Sequence, residues 1–405
     1  MKLILYSPNY APELTGIGKY NGELVAELNR QGVDVHVVTA PPYYPNWTIS
    51  QNFKNWFTKE VVSNKQVVYR CPLYVPKKVN TIKRLLHLFS FSLSSAFRLM
   101  SLIRIKPDAL IVIQPTLMCA PMALLYCKLT GSKSIMHIQD FEVDAMLGLN
   151  LGRGSRFKNT IVKLESWLMR RFNLVSSISH SMLEKAKLKG VSVNKLHYFP
   201  NWAELEKISP LISGAGLREE WGYEENDFIV LYSGNIGAKQ GLEIVVEAAT
   251  QLSNKGNIKF IIIGDGVERH SLESAVSVKG LSNVTFKSLQ PWELMPQVLA
   301  MADVHLVIQK KGVADAVLPS KLTNILAAGA QAIVTAEVET ELGRIEQDNP
   351  GIFIRIEPED VSSLTNTIIQ LNDESNNRVN SIARKYAQDN MDVVILTEKF
   401  LEFIK

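Results

Sequence analysis

Three cysteines among 405 residues exclude a disulfide scaffold. Cys71, Cys119 and Cys127 form no Cys-x-x-Cys pair and have no histidine at zinc-like spacing, so they are expected as reduced, buried thiols of a cytosolic protein. An excess of one charge is also missing: a net charge of +4 is too small to mark a nucleic-acid binder, and no nucleic acid is expected as a partner. The opening run, Met1-Lys2-Leu3-Ile4-Leu5-Tyr6-Ser7-Pro8, is too short for a signal peptide and reads as a first strand. There is no low-complexity segment and no Asp-x-Asp pair of the metal-binding kind. What remains is globular, 46% apolar and 21% charged, and too long for one ordinary domain.

The chain alternates strand and helix patterns. Strands are expected at Leu3–Ser7, Asp34–Ala40, Val67–Cys71, Ala109–Gln114, Ser134–Ile138, Leu174–Ile178 and Leu196–Phe199, with helices such as Tyr20–Gln31 and Lys158–Phe172 between them. After a polar, glycine-bearing stretch near Ser209–Asn226 the alternation repeats, with strands at Phe228–Ser233, Lys259–Gly264, Val284–Ser288, Asp303–Gln309, Ala332–Ala336 and Ile352–Ile356. Strands separated by helices imply parallel sheets with covered faces, and ligands at the strands' carboxyl ends. The expected division is 1–205, 206–385 and a C-terminal stretch 386–405. The last helix, Ser381–Ile404, is expected to pack back at the interdomain junction.

Two strand-to-helix junctions carry lysines and glycines. In Val317-Leu318-Pro319-Ser320-Lys321-Leu322-Thr323-Asn324-Ile325, Pro319 and Ser320 can open a helix that Gly329 ends, with Lys321 and Asn324 one turn apart. Gly234-Asn235-Ile236-Gly237-Ala238-Lys239-Gln240-Gly241 follows a buried strand. Helix N-termini and tight glycine loops bind phosphate, so the pair reads as one diphosphate held from two sides; the bland reading is an ordinary capped helix. Gly16 and Gly18 follow the first strand at a spacing that matches neither G-x-G-x-x-G nor G-x-x-x-x-G-K-S/T, and Gly264-Asp265-Gly266 ends a later one; both read as ligand-facing loops or simple turns. His137 and Asp140 close another strand, positioned for ligand contact unless His137 is a core histidine and Asp140 a helix cap. Lys77, Lys78, Lys83 and Arg84 precede a long apolar helix, Leu85–Met100, dotted with serines; it reads as a membrane-surface element or as a sheet-covering helix. Trp47, Trp56 and Phe57 read as an acceptor wall or as packing.

Taken together, Tyr10-Ala11-Pro12-Glu13-Leu14-Thr15-Gly16-Ile17-Gly18-Lys19-Tyr20, Ala40-Pro41-Pro42-Tyr43-Tyr44-Pro45, His137-Ile138-Gln139-Asp140, Gly234-Asn235-Ile236-Gly237 and Asp315-Ala316-Val317-Leu318-Pro319-Ser320-Lys321-Leu322-Thr323-Asn324 resemble the GT-B glycosyltransferases. More narrowly, the chain is similar to glycosyltransferase family 4 and its WcaI-type branch, the colanic acid fucosyltransferases. The resemblance implies an α/β GT-B fold, two Rossmann-like doubly wound domains facing each other across a cleft. It also implies a retaining transfer from a nucleotide-sugar donor, with fucose from GDP-fucose as the candidate, to a lipid-linked (polyprenyl diphosphate) glycan acceptor in exopolysaccharide synthesis.

On that resemblance Lys239 and Lys321 neutralise the leaving diphosphate, and His137 or Asp140 positions the sugar. Gly16, Gly18, Gly234, Asn235, Gly237, Gly264, Gly266, Asp315, Pro319, Ser320, Leu322 and Asn324 line the donor. No metal or other cofactor is expected, and the enzyme is expected in the cytoplasm, attached peripherally to the anionic inner face of the membrane. The family's two glutamates, spaced E-x7-E, would fall at Ala316 and Asn324 and are absent. Asn324 can accept a ribose hydroxyl through its amide oxygen, and Asp315 is the nearest acid. A nucleotide-sugar 2-epimerase and a non-catalytic nucleotide-sugar-binding subunit are the alternatives.

Overall fold

A computed structural model describes residues 1–13, 16–78, 80–141, 155–312, 319–374 and 379–405. The chain forms two compact units, Met1–Pro200 with Thr397–Lys405, and Asn201–Leu396.

The first unit is built on eight strands: β1 Lys2–Tyr6, β2 Asp34–Thr39, β3 Thr58–Ser63, β4 Gln66–Arg70, β5 Ala109–Gln114, β6 Lys133–Ile138, β7 Leu174–Ser177 and β8 Leu196–Tyr198. Their order is β3-β4-β2-β1-β5-β6-β7-β8, parallel except for the β3–β4 pair. β5 is buried along its whole length, which is why its sequence is a continuous apolar run and not an alternation. The sequence reading missed β3. Thr58 is half-buried and the other five residues of this edge strand are exposed, so no period-two pattern marks it. All three cysteines are free and buried.

The second unit carries β9 Phe228–Ser233, β10 Ile258–Ile263, β11 Val284–Lys287, β12 Val304–Val307, β13 Ala332–Thr335 and β14 Ile354–Ile356. The order β11-β10-β9-β12-β13-β14 is parallel throughout. One sheet face packs Val230, Tyr232, Phe260 and Ile262 against Val245, Ala249, Leu272 and Leu364 of the covering helices. The other packs Val307 and Val334 against Leu322, Ile325 and Leu326.

Ala203 and Ile208 belong to the core of the second unit, and Ala203 N donates to Met391 O, so the division falls at Pro200 and not at residue 205. The helix expected over Ser381–Ile404 is two, Ser381–Asn390 and Val393–Ile404. Asp392 makes the break, its Oδ1 accepting from Val394 N at 2.7 Å as a new helix start. Beyond it, Phe400 stacks on Phe199 with centroids 4.3 Å apart, Phe403 on His197 at 4.1 Å, and Lys133 Nζ donates to Ile404 O.

Candidate active site

In the second unit the strand order reverses between β9 and β12, and at such a reversal the loops leaving the carboxyl ends part to admit a ligand. β9 runs into the loop Gly234–Gly241, β10 into Gly264-Asp265-Gly266, and the segment after β12 leads to helix Ser320–Ala327. Lys321, in the first turn of that helix, sends its amine inward. Nζ is buried, has no hydrogen-bond partner among the described residues, and lies 3.8 Å from the centroid of the Tyr232 ring. Burial pushes its pKa down to about 7. Gly234, at φ +148°, leaves the space: a Cβ there would stand 3.2 Å from Lys321 Nζ. The Tyr232 hydroxyl donates to Asn235 O at 2.6 Å, fixing the start of the glycine loop.

Several expected ligand contacts have other work. Gly264 and Gly266, at φ +151° and +156°, were expected to line a nucleotide pocket; instead a Cβ on either would overlap the backbone of Gly234 or Ile236. Their missing side chains let the two loops lie on one another, joined by Ile236 N to Asp265 O at 2.8 Å and Glu268 N to Ile236 O at 3.1 Å. The Gly237 amide, expected to face a ligand, donates to Gln240 Oε1 at 3.2 Å. The Leu322 side chain is wholly buried in the core and packs the helix onto the sheet, so it offers a ligand no surface. Lys239 and Asn235 are exposed on the glycine loop, and Asn324 is half-buried one turn along from Lys321. Pro319 precedes the helix in an extended conformation, and the Ser320 backbone begins it. Asp315 lies outside the described residues.

Four residues of the first unit were expected at the ligand. Gly16 is exposed with φ +60°. Gly18 is buried, and a Cβ on it would overlap Glu13. Glu13 is itself buried: Oε1 accepts from the amides of Tyr43 and Tyr44, both at 3.1 Å, and Oε2 from Asn9 Nδ2 at 2.9 Å. Burial raises its pKa against the pull of those bonds. Gly18 therefore makes room for a carboxylate that ties two loops, and not for a ligand. His137 is also corrected. Its Nδ1 is 2.9 Å from Ser176 Oγ, its Nε2 accepts from Gln139 Nε2 at 3.0 Å, and the Phe199 ring meets it edge-on. Burial, with His197 adding to it, pushes its pKa down to about 3, so the ring is a neutral buried group that orients Gln139. Asp140, next but one after β6, is exposed.

Sequence reasoning missed Tyr232, Arg269 and Lys310. Arg269 Nη1 donates to Gly264 O at 2.6 Å, bracing the β10 loop, and Lys310 lies along Gly241 with Nζ 3.5 Å from Glu243 Oε1. A tyrosine near the end of the apolar run Phe228–Ser233 was the available signal, because a polar tip at a strand's carboxyl end needs a partner.

Residues 15–202 match the family model described as a glycosyl transferase 4-like domain, and residues 216–388 the one described as glycosyl transferases group 1. The chain is 46% identical, over 100% of both chains, to the Escherichia coli (strain K12) protein named as the colanic acid biosynthesis glycosyl transferase WcaI. Its fold resembles sucrose-phosphate synthase from Thermosynechococcus elongatus at a TM-score of 0.72 and 16% identity, covering 99% of this chain and 98% of that one. It also resembles Anabaena HepE in complex with UDP, at 0.70 and 15%, covering 99% of both. With a largely parallel sheet in each unit and a relative so similar over its full length, the chain belongs to the GT-B glycosyltransferases that join a glycosyl transferase 4-like domain to a group 1 domain.

Proposed function

We propose that the second unit holds a nucleotide-sugar donor with its diphosphate at Lys321. One observation carries this: a buried amine, unpartnered among the described residues, at the switch point of a doubly wound sheet. The UDP bound to HepE, which shares the fold, supports a nucleoside diphosphate as its occupant. As the bond from the anomeric carbon to the donor oxygen breaks, negative charge grows on the leaving diphosphate. Lys321 and the exposed Lys239 meet it with positive charge, and so does the N-terminal end of helix Ser320–Ala327. The acceptor hydroxyl attacks on the face of departure, its proton passing to a donor phosphate oxygen, so configuration is retained without a protein nucleophile. Charge balance of this kind needs no divalent cation, and turnover should persist in excess chelator.

The kinship with WcaI extends the proposal to colanic-acid-like exopolysaccharide synthesis, with fucose from GDP-fucose as the first donor to try and a polyprenyl-linked glycan as acceptor. Among the described residues no helix is long and apolar enough to cross a membrane. Helix Thr81–Ser101 instead exposes Ile82, Leu86, Phe89, Leu93 and Phe97 along one stripe, while Phe91, Ser95 and Leu99 face the core. Lys83 and Arg84 occupy its first turn, where no acid offsets the positive helix end, and Lys77 and Lys78 are exposed just before it. This apolar stripe with a basic end supports attachment to an anionic bilayer from the cytoplasmic side.

The test is a thermal-shift screen of GDP- and UDP-sugars, followed by turnover with the stabilising sugar and a lipid-linked acceptor. Transfer that falls at least a hundredfold in Lys321→Ala is expected. Isomerisation of the sugar without acceptor would identify a 2-epimerase, and binding without any turnover a non-catalytic subunit.

A further inference from the structure

Tyr232 is wholly buried and touches both elements that converge on the candidate site. Its ring face lies under Lys321 Nζ, 3.8 Å from the centroid, and its hydroxyl donates to Asn235 O at 2.6 Å. A tyrosine serving only as core would still need a partner for its hydroxyl, but no contact with an amine. Val230, Phe260 and Ile262 fill the same layer with purely apolar groups. Gly234, without a side chain, leaves the amine room at the ring, and the hydroxyl holds the backbone of the glycine loop at Asn235, next to Ile236, which the loop following β10 holds. Lys321 has no anion to hold it among the described residues, and burial pushes its pKa down. The π face is thus the group that fixes where the ammonium stands.

We infer that Tyr232 is a positioning residue for the diphosphate: its ring holds the Lys321 ammonium and its hydroxyl holds the glycine loop, so one side chain sets the spacing between charge and loop. This rests on the reading of Lys321 as the diphosphate contact. The two ends of the side chain are separable. Tyr232→Phe keeps the ring and releases the loop, whereas ring fluorination weakens the negative π face without changing the shape that packs in the core.

Titration calorimetry with GDP and UDP across pH 6 to 9 tests it on the full chain. Tyr232→Phe should weaken nucleoside diphosphate binding about three- to tenfold while leaving the pH at which affinity falls unchanged. Phenylalanine at 232 carrying two or three ring fluorines should move that fall to lower pH, because the ammonium has lost part of its support. Tyr232→Leu should do both. If it does not fold, the fluorinated series carries the ring arm alone. Lys321→Met separates the two readings. Weak binding in Lys321→Met with wild-type affinity and pH profile in every folded Tyr232 variant would overturn the role of Tyr232 alone. Binding unchanged in Lys321→Met would overturn the donor-site reading and this inference with it.

Discussion

At pH 7 an ordinary lysine is almost wholly protonated, but burial pushes the Lys321 pKa down to about 7, so in the ligand-free molecule its amine loses the proton far more readily. A diphosphate placed beside it raises that pKa again. Binding of GDP or UDP at pH 8 should therefore take up close to one proton, measurable as a dependence of the calorimetric enthalpy on buffer ionisation. Lys321→Met should show none. The sign for stability follows from the same shift. Between about pH 7 and the ordinary value of 10.5 the unfolded chain holds a proton that the folded chain does not. Stability of the ligand-free protein should rise with pH across that window, by about 1.4 kcal/mol per unit at most, and the slope should be lost in Lys321→Met. Lys321 was legible because its string, Pro319-Ser320-Lys321-Leu322, is local. Glu13 and the ring contact of Tyr232 were not, since their partners, Tyr43 and Lys321, lie far along the chain, which no periodicity reports.

Among elements, the two glycine loops after β9 and β10 form a single stacked layer. Gly264→Ala would drive a Cβ into the Gly234 carbonyl at a strained φ, and one loop must move. A loss of 2 to 4 kcal/mol, about the cost of overpacking with strain, is expected in denaturant unfolding, together with weakened nucleotide affinity. Gly256→Ala, where a Cβ meets nothing within 4 Å, should be nearly neutral. The sequence marked both glycine loops but not that they face each other, because stacking of loops leaves no residue pattern. Helix Thr81–Ser101 shows the converse: its basic start was plain, whereas the exposed stripe could be told from the buried one only once Ser95 met the Tyr6 hydroxyl at 2.6 Å and Ser92 met Met118 O at 2.7 Å. Changing Lys77, Lys78, Lys83 and Arg84 together to glutamine should abolish flotation with anionic liposomes at low salt. Each charge contributes on the order of 1 kcal/mol. Flotation equal to that of the wild type would leave the stripe without this role.

For the whole molecule, both units bury histidines as neutral rings, His87 and His137 in the first and His305 in the second. His137 in the first is pushed down to about 3, and His305 in the second, whose Nε2 donates to Leu299 O at 3.0 Å, to about 4. Below pH 6.5 the unfolded chain gains protons that the folded units refuse, so stability should fall as pH drops from 6.5 towards 4. At pH 5 the loss is about 2 kcal/mol for each of His137 and His305, checked by urea unfolding at pH 7 and pH 5, and His137→Gln should reduce the first unit's share. Architecture at this scale was the most legible part. Central strands such as β5, β12 and β13 announced themselves as short apolar runs, since a parallel sheet covered on both faces writes burial straight into composition.

Phe199 and His197 are covered by Phe400 and Phe403, and the whole of Asn201–Leu396 lies between those pairs in the chain. On the ribosome, therefore, the unit begun first is finished last. Its aromatic edge stays uncovered while the contiguous second unit is synthesised and can close by itself. A chain released early, after Leu396, would keep the second unit intact and deprive the first of its final wall. A fragment ending at Pro200 would meet the same fate, so the first unit should be soluble in isolation only when residues 397–405 are supplied to it.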